Sequence, residues 1–345
     1  CQKRNEKEKK KSAGLSNSRQ NYPKFGKSDP NPLAHKGKGL VKVRNPLGRN
    51  GSGYKISKKK LKEVQLSNNA QVKVSVDRVT LMGQPIGDET IDCDRVMHLL
   101  YKKFKNADFY KQAASGFNIV DPKTDENVAY VEVPTHRTDE IRVDFNPKRL
   151  RWDLTSEWAQ FLIWFLQQLK NKKFSRLDLA FDMIDVDVKG YLPYVFGASK
   201  SLFYDRAWNL GTIYAGARSS KSQIRFYDKK AERKHAGYEV KDLSFWRLEL
   251  QLRGNRTEIW RDDCAKKLGQ FYKLEPHGVK NLNDKVLLLA MKQDPNIYKE
   301  FSKNTQTKIR KMMKQPDNQE YTVTRMLLYC LEENYEKLEQ ELNFY

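Results

Sequence analysis

Apolar and polar residues alternate along VKVSVDRVTLMG at residues 72–83, a stretch rich in Val and Thr. That period of two predicts a β-strand. NVAYVEVPT (127–135) and EIRVDFNP (140–147) read as two more short strands with polar turns between them. The spacing changes to three and four in DCDRVMHLLYKKF (92–104), which predicts a helix with Val96, Leu99, Leu100 and Phe104 turned inward. TSEWAQFLIWFLQQLKN (155–171) predicts a second helix. Thr155 or Ser156 caps its start and Glu157 suits the positive end of its dipole. Its Trp158, Phe161, Leu162, Phe165, Leu166 and Leu169 form a core-facing stripe. Four further strands are expected at 175–185, 212–218, 223–230 and 245–253. Beyond residue 265 the pattern turns helical, at 284–292, 298–315 and 320–342. Strands interleaved with helices, followed by a helical tail, give an α+β fold: a central antiparallel sheet with packed helices, and a helical C-terminal region.

Four of the strands carry one apolar and one polar face, because successive side chains point to opposite sides of a sheet. Leu177, Leu179 and Phe181 share a face in RLDLAFD, leaving Arg176, Asp178, Ala180 and Asp182 on the other. In WRLELQLR the apolar set is Trp246, Leu248, Leu250 and Leu252, and the polar set is Arg247, Glu249, Gln251 and Arg253. QIRFYDK places Ile224 and Phe226 inward, with Gln223, Arg225 and Tyr227 outward. RVDFN places Val143 and Phe145 inward, with Arg142, Asp144 and Asn146 outward. Paired in one antiparallel sheet, these strands would merge Asp144, Asp178, Asp182, Glu249, Arg225 and Tyr227 on a single face. Two readings are open for that face. Its charges pair across strands, or its carboxylates hold a divalent cation such as Mg²⁺ or Mn²⁺, which suits phosphate chemistry.

Charge then separates the ends of the chain. The 345 residues carry a formal charge of +22, and nucleic acid is the first partner such a balance suggests. Residues 1–70 hold 19 Lys/Arg against four Asp/Glu, so most of the excess lies there. Rich in Gly, Ser, Asn and Pro, this front reads as a basic, mostly irregular arm suited to phosphate contact. The expected organisation is an arm at 1–66, a sheet domain at 67–265 and a helical region at 266–345. The four cysteines, Cys1, Cys93, Cys264 and Cys330, have neither metal-ligand spacing nor a disulfide framework, which fits a reducing cytoplasm. No stretch has the roughly 20 apolar residues of a membrane helix. The N-terminus lacks the apolar segment of a secretion signal and begins at Cys1 rather than Met, as a processed or shortened chain would.

Tyr227 is the candidate nucleophile. A phenol ionises near pH 10, so it attacks well only when its anion is stabilised. The cations Arg225, Lys229, Lys230 and Arg233 surround it in QIRFYDKKAER, and a metal beside it would help further. Attack on a DNA phosphodiester would leave a phosphotyrosine and a free 3′-hydroxyl, conserving the bond energy for later resealing. The basic run would hold neighbouring phosphates.

In order, RVDFNPKRL, FSRLDLAFD, IRFYDKKAER and FWRLELQL resemble the replication initiation factor family, the rolling-circle initiators of small Gram-positive plasmids that include staphylococcal resistance plasmids. The resemblance spans most of residues 72–265. It implies that Tyr227 is the nucleophile, with Asp228 where the family often has Asn. It implies a metal site at Asp178 and Glu249, then Asp182, with Asp144 last. It further implies nicking at a hairpin origin, a 5′-phosphotyrosine link, a 3′-hydroxyl primer, and later rejoining of the strand. A host helicase of the PcrA type, a homodimer, and origin choice by the C-terminal region at about 266–345 follow from the same likeness. Other rolling-circle initiators and relaxases set two histidines one residue apart on the metal. His35, His98, His136, His235 and His277 show no such spacing, which favours carboxylates. The basic arm exceeds what the plasmid proteins are expected to carry, so the relaxase of a conjugative element is the first alternative. A non-catalytic origin-binding repressor is the second, although it leaves the carboxylates beside Tyr227 without a purpose.

Overall fold

The computed structural model describes residues 70–86, 109–113, 115–132 and 140–343. The expected basic arm, the helix at 92–104, and Cys1, Cys93, His35, His98 and His136 lie outside the described residues.

One ten-stranded antiparallel sheet dominates. Its strands are β1 (Gln71–Pro85), β2 (Tyr110–Ala113), β3 (Gly116–Asp121), β4 (Glu126–Glu132), β5 (Ile141–Phe145), β6 (Leu169–Ile184), β8 (Lys200–Tyr204), β9 (Leu210–Ala215), β10 (Ser222–Asp228) and β11 (Phe245–Arg253). Their spatial order is β2-β3-β4-β5-β1-β6-β11-β10-β9-β8. The four strands with polar faces thus belong to one sheet, with β1 inserted between β5 and β6. Register then follows the alternation: Leu248 stands opposite Phe181, Leu250 opposite Leu179 and Leu252 opposite Leu177. Leu177, Leu179, Phe181, Leu248 and Leu252 are completely buried. Removing each such side chain from water stabilises the fold by about 1.5–3 kcal/mol.

Helices close the apolar side. After α1 (Pro147–Trp152), α2 (Glu157–Gln167) is capped by Ser156, whose hydroxyl accepts from the Ala159 amide. Phe165 of α2 meets Phe117 of β3 edge-on at 6.3 Å. The helical pattern ran on to residue 171, but the helix stops at Gln167. β1 is long enough to take Leu169 and Lys170 as partners of Pro85 and Gln84, and Asn171 adopts φ +51°, which a right-handed helix excludes. The strand expected over 223–230 ends at Asp228. The Asp228 carboxylate accepts from the Ala231 amide and starts α3 (Lys229–His235).

The C-terminal region holds α4 (Trp260–Leu268), α5 (Leu282–Gln293), α6 (Lys303–Met313), α7 (Thr322–Glu333) and α8 (Tyr335–Leu342). The helix expected over 320–342 is broken at Asn334, which ends α7 and precedes α8. A small second sheet of β7 (Tyr191–Pro193), β12 (Phe271–Leu274) and β13 (Gln319–Glu320) joins this region to the large one. Phe271 meets Phe226 of β10 at 4.9 Å, and the Cys330 thiol on α7 reaches the Val72 carbonyl of β1 at 3.5 Å. Packing is therefore continuous across the expected boundary at 265/266. Among the described residues, no helix is long and apolar enough to cross a membrane.

Candidate functional site

The polar faces of β6, β11, β10 and β9 meet around a pocket of about 150 Å³ lined by Arg176, Asp178, Tyr214, Gln223, Arg225, Glu249 and Gln251. Strand register puts them there. Tyr214 pairs with Arg225, Arg225 with Glu249, and Gln251 with both Gln223 and Asp178. On these four strands no two carboxylates stand directly opposite. Ala180 faces Glu249, and Arg247 faces Asp182. Like-charge repulsion across these strands is thus avoided by placement.

Tyr227 lies beside this pocket and is 2% exposed. Its hydroxyl donates to Glu249 Oε1 at 2.7 Å. The Arg225 guanidinium lies over its ring at 3.9 Å, and Lys229 Nζ stands 5.6 Å from the ring centre. Burial, followed by the Glu249 charge, pushes the phenol pKa far above its ordinary value, although Arg247 opposes the shift. A nearby cation, Arg247, acts in the expected direction but does not prevail. Desolvation and a carboxylate outweigh it. Burial also raises Glu249 above the usual carboxylate value, with Asp77 adding to the effect and the Tyr227 hydrogen bond opposing it. The Tyr227–Glu249 pair is a protonated phenol held against a carboxylate with increased proton affinity.

Arginines occupy most of the other acids. Arg176 grips Asp178 through Nε at 2.9 Å and Nη2 at 2.6 Å. Asp182 is held by Arg247, through Nε at 2.5 Å and Nη2 at 3.0 Å, and does not line the pocket. Asp144 sits further along the sheet, accepting from Arg142 at 2.8 Å, Arg78 at 3.1 Å and the Thr80 hydroxyl. The cross-strand pairing reading therefore describes much of this face. Asp178 and Glu249 are the acids brought into one pocket, whereas Asp182 and Asp144 are directed elsewhere.

Among the described residues, no three His, Cys, Asp or Glu side chains gather closely enough to enclose an ion. Two carboxylates lining one polar pocket still fit Mg²⁺, which is ordinarily held by one or two carboxylates and completes its shell with water and substrate phosphate. Arg176 would have to yield part of its hold on Asp178. Arg225 is suited to the phosphate itself. It lines the pocket, and its buried Nε has no hydrogen-bond partner within the protein.

The other expected phosphate ligands stand on α3 rather than on the strand. Lys229 pairs with Glu232. Lys230 donates to the Asp242 and Leu243 carbonyls at 2.6 and 3.0 Å, which ties α3 to the segment before β11. Arg233 lies 5.6 Å from the Phe245 ring.

Two contributors escaped the sequence reading. Tyr214 lines the pocket, and its alternation with Thr212 on β9 was the available signal. Asp77 reaches Arg247 at 3.1 Å because β1 carries one extra residue between Val76 and Arg78 relative to β6. Such a bulge re-aims a side chain and leaves no mark in a strand's composition.

No family model matches the chain. It is 30% identical over 207 residues to a replication initiation protein of Staphylococcus aureus, a match that covers 59% of this chain and 63% of the relative. A second replication initiation protein of that organism is 29% identical over 209 residues, with the same coverage of both chains. The chain thus spans under two thirds of the length of these curated relatives. A solved rolling circle replication initiator protein from Geobacillus stearothermophilus overlaps 64% of this chain and 85% of its own, at 17% identity and a TM-score of 0.35, too low to establish a common fold.

Proposed function

We infer that this chain, a homologue of the staphylococcal replication initiation proteins over 59% of its length, starts rolling-circle replication by nicking one strand of a plasmid origin. The observation that carries the reading is the 2.7 Å hydrogen bond from the Tyr227 hydroxyl to Glu249 at the edge of a polar pocket. Glu249 and Arg225 are the residues common to the tyrosine and the pocket. A phosphate entering the pocket is met by Arg225 and brought toward the phenol.

A buried phenol with a raised pKa is not ionised at neutral pH. Its proton therefore leaves during attack, and Glu249 is the group placed to take it. The Tyr227 Oη–P bond forms and the P–O3′ bond breaks. The 5′-phosphate stays on the protein, and the 3′ oxygen takes a proton from solvent to become the primer end. Rejoining runs the same steps backward, with Glu249 returning the proton to Tyr227. Asp178 and Glu249 would hold Mg²⁺ or Mn²⁺, which when bound supplies positive charge to the phosphoryl oxygens. Because Tyr227 is buried, DNA binding has to loosen its contact with Glu249 before in-line attack. The basic front of the chain adds sequence-independent phosphate attraction. The 266–345 region is proposed to choose the origin. A homodimer working with a host helicase of the PcrA type completes this reading.

The test is Tyr227→Phe. It should retain origin binding and lose nicking of supercoiled origin plasmid. A variant that still nicks would remove Tyr227 from the chemistry.

A further inference from the structure

The nicking chemistry leaves the β8–β9 hairpin unused, yet the hairpin carries three large exposed aromatics. Phe203, Tyr204 and Trp208 are 55%, 50% and 83% exposed. Their placement is built rather than incidental. The turn at 205–209 is closed by the Asp205 amide donating to the Asn209 carbonyl at 2.9 Å and the Trp208 amide donating to the Asp205 carbonyl at 3.1 Å. The Asp205 carboxylate also accepts from the Ala207 and Asn209 amides, both at 2.8 Å. These bonds hold Trp208 at φ +62°, a left-handed conformation that bulky side chains rarely adopt. Backbone strain of this kind persists where the surroundings enforce it, and it concentrates at ligand-binding positions.

Register ties the hairpin to the pocket. Phe203 pairs with Thr212, and Thr212 pairs with Tyr227. Phe203 therefore shares a cross-strand row and a sheet face with the tyrosine, two strands and about 10 Å away. Its ring meets Tyr214 edge-on at 5.9 Å, and Tyr214 lines the pocket under the Arg225 guanidinium at 5.7 Å. Tyr204 follows Phe203 directly on β8 and so points to the other side of the sheet, where its ring meets Trp208 at the hairpin tip, 6.2 Å between centres, so that the edge hairpin carries exposed rings on both sides. The local charge is complementary to nucleic acid. Residues 199–225 carry five Lys/Arg and one Asp, and that Asp205 is engaged in the turn.

We propose that the β8–β9 hairpin is a base-stacking platform for single-stranded DNA, holding the unpaired nucleotides next to the phosphate in the pocket. Aromatic rings bordered by cations bind unpaired bases because every base has a π-face, whereas duplex bases are already stacked on one another. The proposal rests on the nicking reading for its biological setting, but the binding it describes does not require cleavage.

The experiment measures binding of a short fluorescein-labelled oligothymidylate to the full chain, by anisotropy over a series of salt concentrations. Wild type is compared with the Phe203→Ala/Trp208→Ala pair and the ring-retaining Phe203→Tyr/Trp208→Phe pair. Each lost ring should weaken binding roughly 5- to 150-fold, with an unchanged salt slope because no phosphate contact is removed. The ring-retaining pair should restore most of the affinity. Photo-crosslinking of a bromouracil-containing oligonucleotide to the wild type should label the peptide at 200–215, a readout that does not depend on any variant folding. Unchanged affinity in the alanine pair, equal weakening for blunt duplex, or crosslinks elsewhere would overturn the platform. So would intact DNA binding accompanied by loss of a co-purifying protein, which would assign the rings to that protein. Failure of the wild type to form a covalent DNA adduct, with stacking intact, would refute the nicking reading and leave the hairpin standing. Adduct formation with unaltered affinity in the alanine pair would do the reverse.

Discussion

Replacing Glu249 with Gln removes a proton acceptor while keeping the shape of the site. The amide oxygen can still accept the 2.7 Å bond from Tyr227. Arg247 retains Asp182 at 2.5 and 3.0 Å and Asp77 at 3.1 Å, so loss of the Glu249 charge at 3.7 Å does not strand it. Arg225 loses a partner at 3.4 Å but keeps its place over the Tyr227 ring. Folding and DNA binding should therefore survive, and less negative charge in the pocket should favour the phosphate. What goes is the group that takes the phenolic proton, together with the charge of one of the two acids proposed to hold the cation, and a positioned general base alone contributes roughly 10²–10⁴-fold to rate. The assay is the single-turnover rate of covalent protein–DNA formation on supercoiled origin plasmid, followed against pH. Glu249 takes the proton only when it is deprotonated, and burial raises its pKa from the ordinary carboxylate value whereas a bound cation lowers it. The wild-type profile should therefore show an acidic limb that disappears in Glu249→Gln. A loss smaller than about tenfold, or an acidic limb that persists unmoved, would refute the assignment of Glu249 as base.

Asp182→Asn should act on stability rather than on metal dependence. Half of a buried pair with Arg247 is removed while Asp77 remains, costing roughly 2 kcal/mol in denaturant unfolding, with the Mg²⁺ titration of nicking unchanged. Ser156→Ala should cost about 1 kcal/mol through the lost cap of α2, read as a lower unfolding midpoint with an unchanged denaturant slope. Removing residues 1–60 should flatten the salt dependence of DNA binding because their positive charge is lost. An unchanged slope of log affinity against log salt would exclude the arm from phosphate contact.

Periodicity made the sheet legible wherever a strand had one wet and one dry side. RLDLAFD, WRLELQLR and QIRFYDK all separate as their alternation implies, since slipping any of them by one residue would bury the charged set. It failed where a second partner overrode local preference. Leu169 continues the helical spacing of Leu166, but β1 extends alongside and pairs with it. The strands of the small sheet run from two to four residues and are too short for alternation to register. At the site, register brought Asp178 and Glu249 to one pocket with Arg225, while Tyr227 was correctly placed on that face and yet buried. Facing arginines account for much of the difference. Arg247 lay on the polar face in the sequence, but its grip on Asp182, Asp77 and Glu249 depends on three strands meeting and on the bulge at Asp77. No single segment encodes those contacts.

The most direct measurement of the central claim is the identity of the residue joined to DNA. The protein would be incubated with a supercoiled plasmid carrying its origin and Mg²⁺ or Mn²⁺. After nuclease digestion and proteolysis, mass spectrometry would locate the nucleotide-bearing peptide. Nicking by Tyr227 requires a 5′-phosphoryl adduct on that residue, within the peptide that begins after Arg225. An adduct on any other residue, or tight origin binding with no adduct under either metal, would contradict it.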